Sequence, residues 1–357
     1  MPEKILIKYK NYTSKRWYFI IGTCLALILM AHISVLSGAI NINLNNLIHV
    51  WTGKADGTIW QVILKIRLPR ILGAIVSGLA LSISGAVIQS LLRNPLASPF
   101  TLGISGASAF GAAFAIVILG AGTSYAGSND IANITNPYLV TGSAFIWSLA
   151  SVFVILMLSK YRGATPEIII LSGIIISSLF GAGISAMQYF SDNVQLASIV
   201  FWTFGDLGRA SWNNLLIQVI VIIPAILYFF RKSWSYKSLQ AGDEYAKSLG
   251  VNPVKTRLIG MVIASLITAI VVSFYGIIAF VGLVVPHIVR RIIGGDELFL
   301  IPASALFGSI FLLLSDTLAR VIISPVVLPV GILTSFLGAP LFLFLLIKGI
   351  GKGYWKQ

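Results

Sequence analysis

The chain has 357 residues, of which 57% are hydrophobic and only 10% are charged, and its mean hydropathy is +0.93. Soluble domains carry about 25% charged residues, so this composition excludes a soluble protein and predicts a membrane protein. The net charge of +14 would suit nucleic-acid binding, but the basic residues flank apolar runs. Positive-inside topology and anionic lipid headgroups explain that placement more simply.

A basic segment precedes the first apolar run, which is long enough to cross a bilayer at about 20 residues. The run is longer than the core of a signal peptide, so we predict a retained anchor helix. The single cysteine, Cys24, lies inside this run. It has no partner for a disulfide within the chain, and no Cys-x-x-Cys motif exists.

Further apolar runs follow along the chain. All of them, including the first, are 17–37, 71–92, 100–120, 138–159, 168–190, 212–230, 258–289, 299–319 and 326–347. The run 258–289 would be about 48 Å long as one helix, which is too long for the bilayer without a strong tilt. Two shorter helices broken near Tyr275-Gly276 also fit, and that choice decides between nine and ten spans.

Charge distribution favours ten spans. With ten spans, most of the 25 Lys and Arg residues fall on the cytoplasmic side, whereas nine spans invert everything after Val289 and weaken that bias. The sequence therefore predicts an all-α polytopic membrane protein with ten transmembrane helices and cytoplasmic N- and C-termini.

Small residues recur at every fourth position in three runs, which places them on one face of each helix. Close helix packing is the simpler interpretation, and the lining of a wide, weakly polar pathway for a bulky solute is the alternative. The stripes are Ala74, Gly78, Ser82, Ala86 and Ser90; Gly103, Ala107, Gly111 and Ala115; and Gly173, Ser177, Gly181 and Ser185.

Charged residues are absent from the interiors of these runs. Only Asp316 and Arg320 come close, and their spacing of four residues predicts an intrahelical ion pair. Ion-coupled transporters usually carry an intramembrane carboxylate or unwound backbone, so a proton-driven transporter is disfavoured, while sodium held by carbonyl groups stays open.

No motif predicts a metal site, a catalytic site or an ATP site in this chain. His32, His49 and His287 are scattered, without ligand spacing. No Ser-His-Asp arrangement or carboxylate pair suggests an enzyme. The segment 349–353 lacks the spacing of a phosphate-binding loop, so if the chain takes part in active transport, the energy must come from another subunit.

Two groups of residues outside the spans are candidates for contact with a partner protein. Gly242 and Gly250 bracket a short amphipathic helix in the predicted cytoplasmic segment 231–257, which is either a solvated surface helix or a knob that docks on a cytoplasmic protein. Three arginines fall on the outer side against the charge bias. They either snorkel to the interface or pair with an acidic partner, and they are Arg67, Arg70 and Arg320.

Motifs spread along the chain in a fixed order resemble the FecCD-type permease family, the membrane subunits of type II ABC importers. The matching segments, which run from about residue 60 to 348, are RLPR at 67–70, SGAVIQ at 84–89, NPLA at 94–97, LGISG at 102–106, FWTFG at 201–205, GDE at 242–244, LGV at 249–251, IAFVGLVVPHIVR at 278–290, DTLAR at 316–320, PVGI at 329–332 and LGAP at 337–340.

The resemblance implies the cobalamin-permease-like fold in one transmembrane domain, 1–357, in a prokaryotic cell membrane. Its implied partners are a second permease subunit, identical or similar, two ATPase subunits that bind ATP and Mg²⁺, and an external solute-binding protein. It implies no cofactor in this chain. The expected cargo is a metal chelate such as an iron-siderophore, with cobalamin, haem or a molybdate-type oxyanion as alternatives; an ion-coupled secondary transporter is the alternative from another class.

The resemblance also implies residue roles. Docking of the binding protein falls to Arg67, Arg70 and Arg320. Coupling to the ATPase falls to Gly242, Asp243, Glu244, Ala246, Leu249 and Gly250. The cytoplasmic gates are Asn94, Pro95, Leu96, Thr165 and Pro166. The pathway lining is Gly173, Ser177, Gly181 and Ser185. Two features depart from the family pattern: a long external loop at 121–137 and an extra outer charge at Arg209.

Overall fold

The structure is a computed structural model that describes residues 2–38, 57–122, 134–162 and 165–350. These residues form helices and their connections, without a β-strand among them. The helices are α1 (Pro2–Leu36), α2 (Gly57–Gln61), α3 (Leu68–Leu91), α4 (Ile104–Val117), α5 (Pro137–Arg162), α6 (Pro166–Phe190), α7 (Asn193–Thr203), α8 (Trp212–Gln240), α9 (Asp243–Ser248), α10 (Pro253–Tyr275), α11 (Val281–Ile293), α12 (Glu297–Val321) and α13 (Val330–Ile350).

Seven helical segments in the described part of the chain are long and apolar enough to cross a membrane. They are Thr13–Leu36, Gly57–Leu91, Pro137–Tyr161, Pro166–Phe190, Trp212–Gln240, Pro253–Tyr275 and Glu297–Val321. The second includes a π-helical stretch, Val62–Arg67, that joins α2 to α3. The predicted all-α membrane fold is thereby confirmed, whereas the count of ten spans and the orientation of the termini stay predictions.

The long apolar run 258–289 is broken where the sequence allowed a break. Helix α10 ends at Tyr275, Gly276 adopts φ of +79°, and α11 begins at Val281. A side chain on Gly276 would collide with the carbonyl oxygen of Trp202. Glycine is therefore required here for both its backbone conformation and its size, and the two-helix interpretation is confirmed.

Two other boundaries differ from the sequence-based expectation. The predicted span 100–120 contains a 14-residue helix, α4, which follows a 3₁₀ turn at Pro99–Leu102 and is too short to span alone. Helix α8 continues to Gln240 instead of ending near residue 230, so the start of the predicted cytoplasmic segment is helical. Proline and glycine near residue 100 account for the first shift, and the absence of both from residues 231–240 lets α8 continue.

Helix α3 lies at the centre of the bundle and packs against α8, α10, α11 and α12. Its small-residue stripe is buried from Ala74 to Ser90. A methyl group on Gly78 would overlap the carbonyl of Gly308, and one on Gly85 would overlap that of Gly282. Close packing is therefore confirmed for this stripe, since small residues let backbones approach where lipid gives no hydrophobic drive.

Charged side chains gather at two opposite ends of α3. One, which we call the arginine end, comprises Arg67, Arg70, Asp206, Asp316 and Arg320. The other, the α9 end, lies beyond Leu91 and holds the ion pairs of Arg93, Arg257 and Lys237 with Asp243 and Asp296. The fold thus separates the predicted docking residues from the predicted coupling residues by the length of α3.

Candidate functional sites

At the arginine end, Asp316 is fully buried between two guanidinium groups. Arg70 donates to its Oδ1 atom from Nε at 2.9 Å and lies 2.8 Å away through Nη2, while Arg320 donates from Nε to Oδ2 at 3.1 Å. Asp206 lies 3.7 Å from Arg70 Nη2. The predicted pair of Asp316 with Arg320 is confirmed, and Arg70 is a partner that sequence spacing did not indicate.

Two of these arginines also cap the end of α1. Arg67 Nη1 donates to the carbonyl of Val35 at 2.5 Å, and Arg320 Nη1 donates to that of Ser37 at 2.8 Å. The last carbonyls of a helix lack intrahelical partners, and basic side chains there also complement the helix dipole. Arg67 and Arg320 are thus buried by internal partners instead of snorkelling to water. Their role in docking a binding protein stays a prediction.

Helix α9 is bracketed by two glycines with positive φ, +121° at Gly242 and +77° at Gly250, which other residues rarely adopt. Ala246 is fully buried against the bundle, whereas Tyr245 and Leu249 are more than half exposed. The predicted amphipathic helix is confirmed. Its apolar surface open to a partner is formed by Tyr245 and Leu249, while Ala246 holds the helix in place.

Asp243, the first residue of α9, joins three elements. Its Oδ1 atom accepts from Arg93 Nη2 at 2.5 Å and from Arg257 Nη2 at 3.0 Å. Arg257 is 1% exposed, and its Nε donates to the carbonyl of Leu91 at 3.0 Å. Charge-assisted bonds of this kind are stronger and more directional than neutral ones.

The predicted gate segment at Asn94, Pro95 and Leu96 directly follows Arg93 in the chain. Asn94 Oδ1 accepts from the backbone N–H of Leu96 at 2.9 Å, which closes an Asx turn. The second predicted gate, Thr165-Pro166, begins α6, and the following Glu167 interacts electrostatically with Arg93. Both predicted gates therefore lie at the α9 end, and their gating role stays a prediction.

The stripe on α6 divides into two halves. Gly173 is buried against the carbonyl of Thr101, and Ser177 lies beside Gly103. Gly181 faces open space, and the exposed Ser185 donates back to it at 3.1 Å. The first half serves packing, and only the second half is open enough to line a pathway.

Glu297 is a buried carboxylate that sequence reasoning missed. It is fully buried in the first turn of α12, where Oε1 accepts from Ser90 Oγ at 2.6 Å and from Gln240 Nε2 at 2.5 Å. Arg290 Nη2 lies 3.6 Å away. The predicted span began at residue 299, so Glu297 lay outside it. Acidic residues at the start of a helix are a signal for its N-terminus, but they do not indicate burial.

Beside it, Asp296 ties the chain's first helix to the α9 end. Its Oδ2 atom accepts from Arg16 Nη1 at 3.0 Å and from Lys237 Nζ at 3.2 Å. Partial burial works to raise the pKa of Asp296, but these hydrogen bonds and the Lys237 charge hold it below its ordinary value. Arg16 also donates to the carbonyl of Ile293 at 3.0 Å.

The remaining predicted residues include His32 and Arg209, and Arg209 interacts electrostatically with Asp206 of the arginine end. His32 Nδ1 lies 2.9 Å from the carbonyl oxygen of Ile28, and the Arg209 Nη2 donates to that of Phe201 at 3.3 Å. His49 and residues 123–133 of the long external loop lie outside the described residues.

A sequence profile of the FecCD transport family matches residues 25–348. The chain belongs to the FecCD transport family. Family membership and the seven apolar helices make it a multi-pass protein of the prokaryotic cell membrane.

Relatives of this FecCD family member include proteins named as permeases. One from Methanocaldococcus jannaschii, named as an ABC transporter permease, is 54% identical over 96% of this chain and 97% of its own length. The hemin transport system permease of Yersinia pestis is 37% identical over 90% of this chain and 93% of its own. A solved structure of an inward-facing, metal-chelate type ABC transporter matches with a TM-score of 0.81 and 31% identity, covering 92% of this chain and 98% of that one.

Proposed function

We propose that this chain is the permease subunit of an ABC importer that carries a metal chelate, with an iron-siderophore as the first expected cargo. The observation that carries the proposal is the structural match over nearly the whole chain to a transporter titled as metal-chelate type. Haem is the second candidate cargo, because the Yersinia pestis relative is named as a hemin permease.

In this proposal α9 receives the ATPase subunit. Tyr245 and Leu249 present apolar area among charged neighbours, and Glu244 pairs only within the helix in the described contacts, with Lys247 Nζ at 2.8 Å. An amphipathic helix fixed at one end and exposed on one face is the form that docks into a groove. ATP and Mg²⁺ are bound by the ATPase, so this chain contributes coupling and not hydrolysis.

A second permease subunit would complete the pathway against α6. Large apolar side chains on this helix are exposed in the single chain, and they include Leu179, Tyr189 and Phe190. They flank the open half of the stripe at Gly181 and Ser185. Weakly polar, small residues allow a bulky chelate to pass without tight binding, which fits a pathway between two subunits.

A solute-binding protein would dock at the arginine end. Three guanidinium groups face two carboxylates there, so the cluster carries a positive excess that favours an acidic partner surface. Because Arg67 and Arg320 are buried, the attraction would act through their field more than through direct pairing.

Uptake by the assembled transporter tests the proposal. The chain is purified from its native membrane with its ATPase subunits, reconstituted in vesicles with the binding protein, and supplied with a ⁵⁵Fe-labelled ferric siderophore or with haemin. We expect uptake that requires ATP and continues when ionophores dissipate the ion gradients. Uptake that ignores ATP and stops with the gradient would instead establish an ion-coupled secondary transporter.

A further inference from the structure

The contacts of Asp243 join a buried partner and a more exposed one. Arg257 is 1% exposed and fixed to the end of α3 through the Leu91 carbonyl. The Arg93 side chain, by contrast, is 36% exposed. Since the two guanidinium groups share one carboxylate oxygen, a displacement of α9 must change at least one of these contacts, and the exposed one has more freedom to follow.

The backbone of Arg93 is strained where the chain turns into the predicted gate. Its φ is +47°, a left-handed value that only Arg93 and Phe280 share among the non-glycine residues of the described ranges. Such conformations persist only where surrounding contacts impose them, and they concentrate at switch regions. The turn they create is closed by the Asn94 N–H, which donates to the Gln89 carbonyl at 3.1 Å.

We infer that the ion pair between Asp243 and Arg93 transmits movement of α9 to the segment Asn94–Leu96. The inference rests on the proposed function, in which an ATPase moves α9. One residue links the two: the side chain of Arg93 holds α9, and its backbone sets the direction in which Asn94–Leu96 leaves α3.

The pair is suited to signalling more than to stability. Both side chains are about one-third exposed, and pairs at that exposure are screened by solvent and contribute little to folding. Removing the Arg93 charge should therefore leave the fold intact and affect the relation between α9 and the gate. Asp243 also pairs with the buried Arg257, so Asp243→Asn is expected to lower stability as well. If the pair of Asp243 with Arg93 were instead a structural brace, its loss would lower stability and leave the relation between α9 and the gate unchanged.

The test uses the full transporter with its ATPase subunits. Cys24→Ser provides a background free of the single native cysteine, and Leu96→Cys places a reporter at a residue that is 45% exposed. The rate of maleimide labelling at this cysteine is measured without nucleotide and after trapping with ATP and vanadate. ATP hydrolysis and thermal unfolding are recorded for each variant.

We expect the labelling rate to differ between the two states in the reporter background. Arg93→Gln and Asp243→Asn should each reduce that ratio by about tenfold or abolish it, and the double variant should lose no more than either single one, as coupled residues do. Lys247→Gln is the matched control, because it removes a charge from α9 that pairs with Glu244 instead of the gate segment.

Two outcomes overturn different statements. If the ratio survives in both Arg93→Gln and Asp243→Asn, the transmission is refuted while the proposed function stands. If the reporter background shows no nucleotide dependence at all, the gate at Asn94–Leu96 is refuted, and the transmission with it. Should Asp243→Asn lose its ATPase, Arg93→Gln decides, because Arg93 lies outside α9.

Discussion

Asp316 combines a full charge with complete burial, and two guanidinium groups, those of Arg70 and Arg320, compensate it. Transfer of a charged side chain from water into the protein interior is costly. The attraction between opposite charges offsets that cost only when their geometry is good and their remaining donors and acceptors form hydrogen bonds. Here both carboxylate oxygens accept a hydrogen bond. The cluster is therefore sensitive to the loss of this buried acid.

Replacing Asp316 by Asn should destabilise the protein by about 3–5 kcal/mol, because the buried guanidinium group of Arg320 and the largely buried one of Arg70 would lose the carboxylate that lies between them. The measurement is the free energy of unfolding in detergent micelles. Asp206→Asn is the control: it lies 3.7 Å from Arg70 and is 40% exposed, so its loss should stay below about 1 kcal/mol. Equal losses for the two variants would refute this account.

Asp296 predicts a pH dependence at the α9 end. Arg16 and Lys237 hold its pKa below the ordinary value despite burial. Its stabilisation is therefore complete above the unfolded pKa of about 3.9 and is lost as the pH falls from there through the lower folded value. Thermal unfolding between pH 7 and pH 3 checks this: the decline below the unfolded pKa should be shallower in Asp296→Asn than in the native protein.

At the scale of elements, two helical glycines distinguish a position that requires close helix packing from one that does not. A methyl group on Gly85 of α3 would overlap the carbonyl of Gly282 on α11, whereas one on Gly142 of α5 meets nothing within 4 Å. Gly85→Ala should lower stability by about 1–3 kcal/mol through overpacking. Gly142→Ala should be neutral or raise it by up to about 1 kcal/mol through helix propensity. The measurement is the free energy of unfolding of both variants in detergent micelles. A loss of stability in Gly142→Ala comparable to that in Gly85→Ala would contradict the packing role assigned to Gly85.

The sequence predicted those elements whose signals are local. Apolar runs located the long helices, Gly276 located the break after α10, and Gly242 with Gly250 located α9. Boundaries after residue 230 were missed, because a helix leaving the membrane changes its composition while its hydrogen bonding continues. The apolar pattern shows which part of a helix lies in the membrane, and the helix itself can extend beyond that part.

Contacts between distant residues could not be predicted from the sequence. For Arg67 the sequence left open snorkelling to the interface or pairing with an acidic partner, yet it donates to the carbonyl of Val35, 32 residues earlier. Glu297 lay outside the predicted span, yet it meets Ser90 across 207 residues. Charge signs and span ends indicated which side these residues occupy, but partner choice depends on the packing of α1, α3 and α12 in three dimensions.

At the scale of the whole molecule, the proposed function requires that the ATPase hold α9 through its exposed face. Tyr245→Ala with Leu249→Ala should reduce co-purification of the ATPase by about tenfold or more, since each side chain offers apolar area worth roughly 1–3 kcal/mol when buried. The measure is the ATPase-to-permease ratio after purification from the native membrane. Leu298→Ala, an exposed leucine at the start of α12, should leave the ratio unchanged; equal loss there would locate the contact elsewhere.

Helix α1 is attached to α12 near its middle and near its C-terminal end, and it exposes most of its surface between these two contacts. Trp17 and Phe19 contact Phe299 and Phe307 through their rings, and Ser34 bonds Thr317. Any tilt of α12 must carry α1 with it, so this helix would sweep sideways through the acyl chains. Each transport cycle would then displace lipid around α1, and the viscosity of the surrounding bilayer would act as a drag on the speed of the importer.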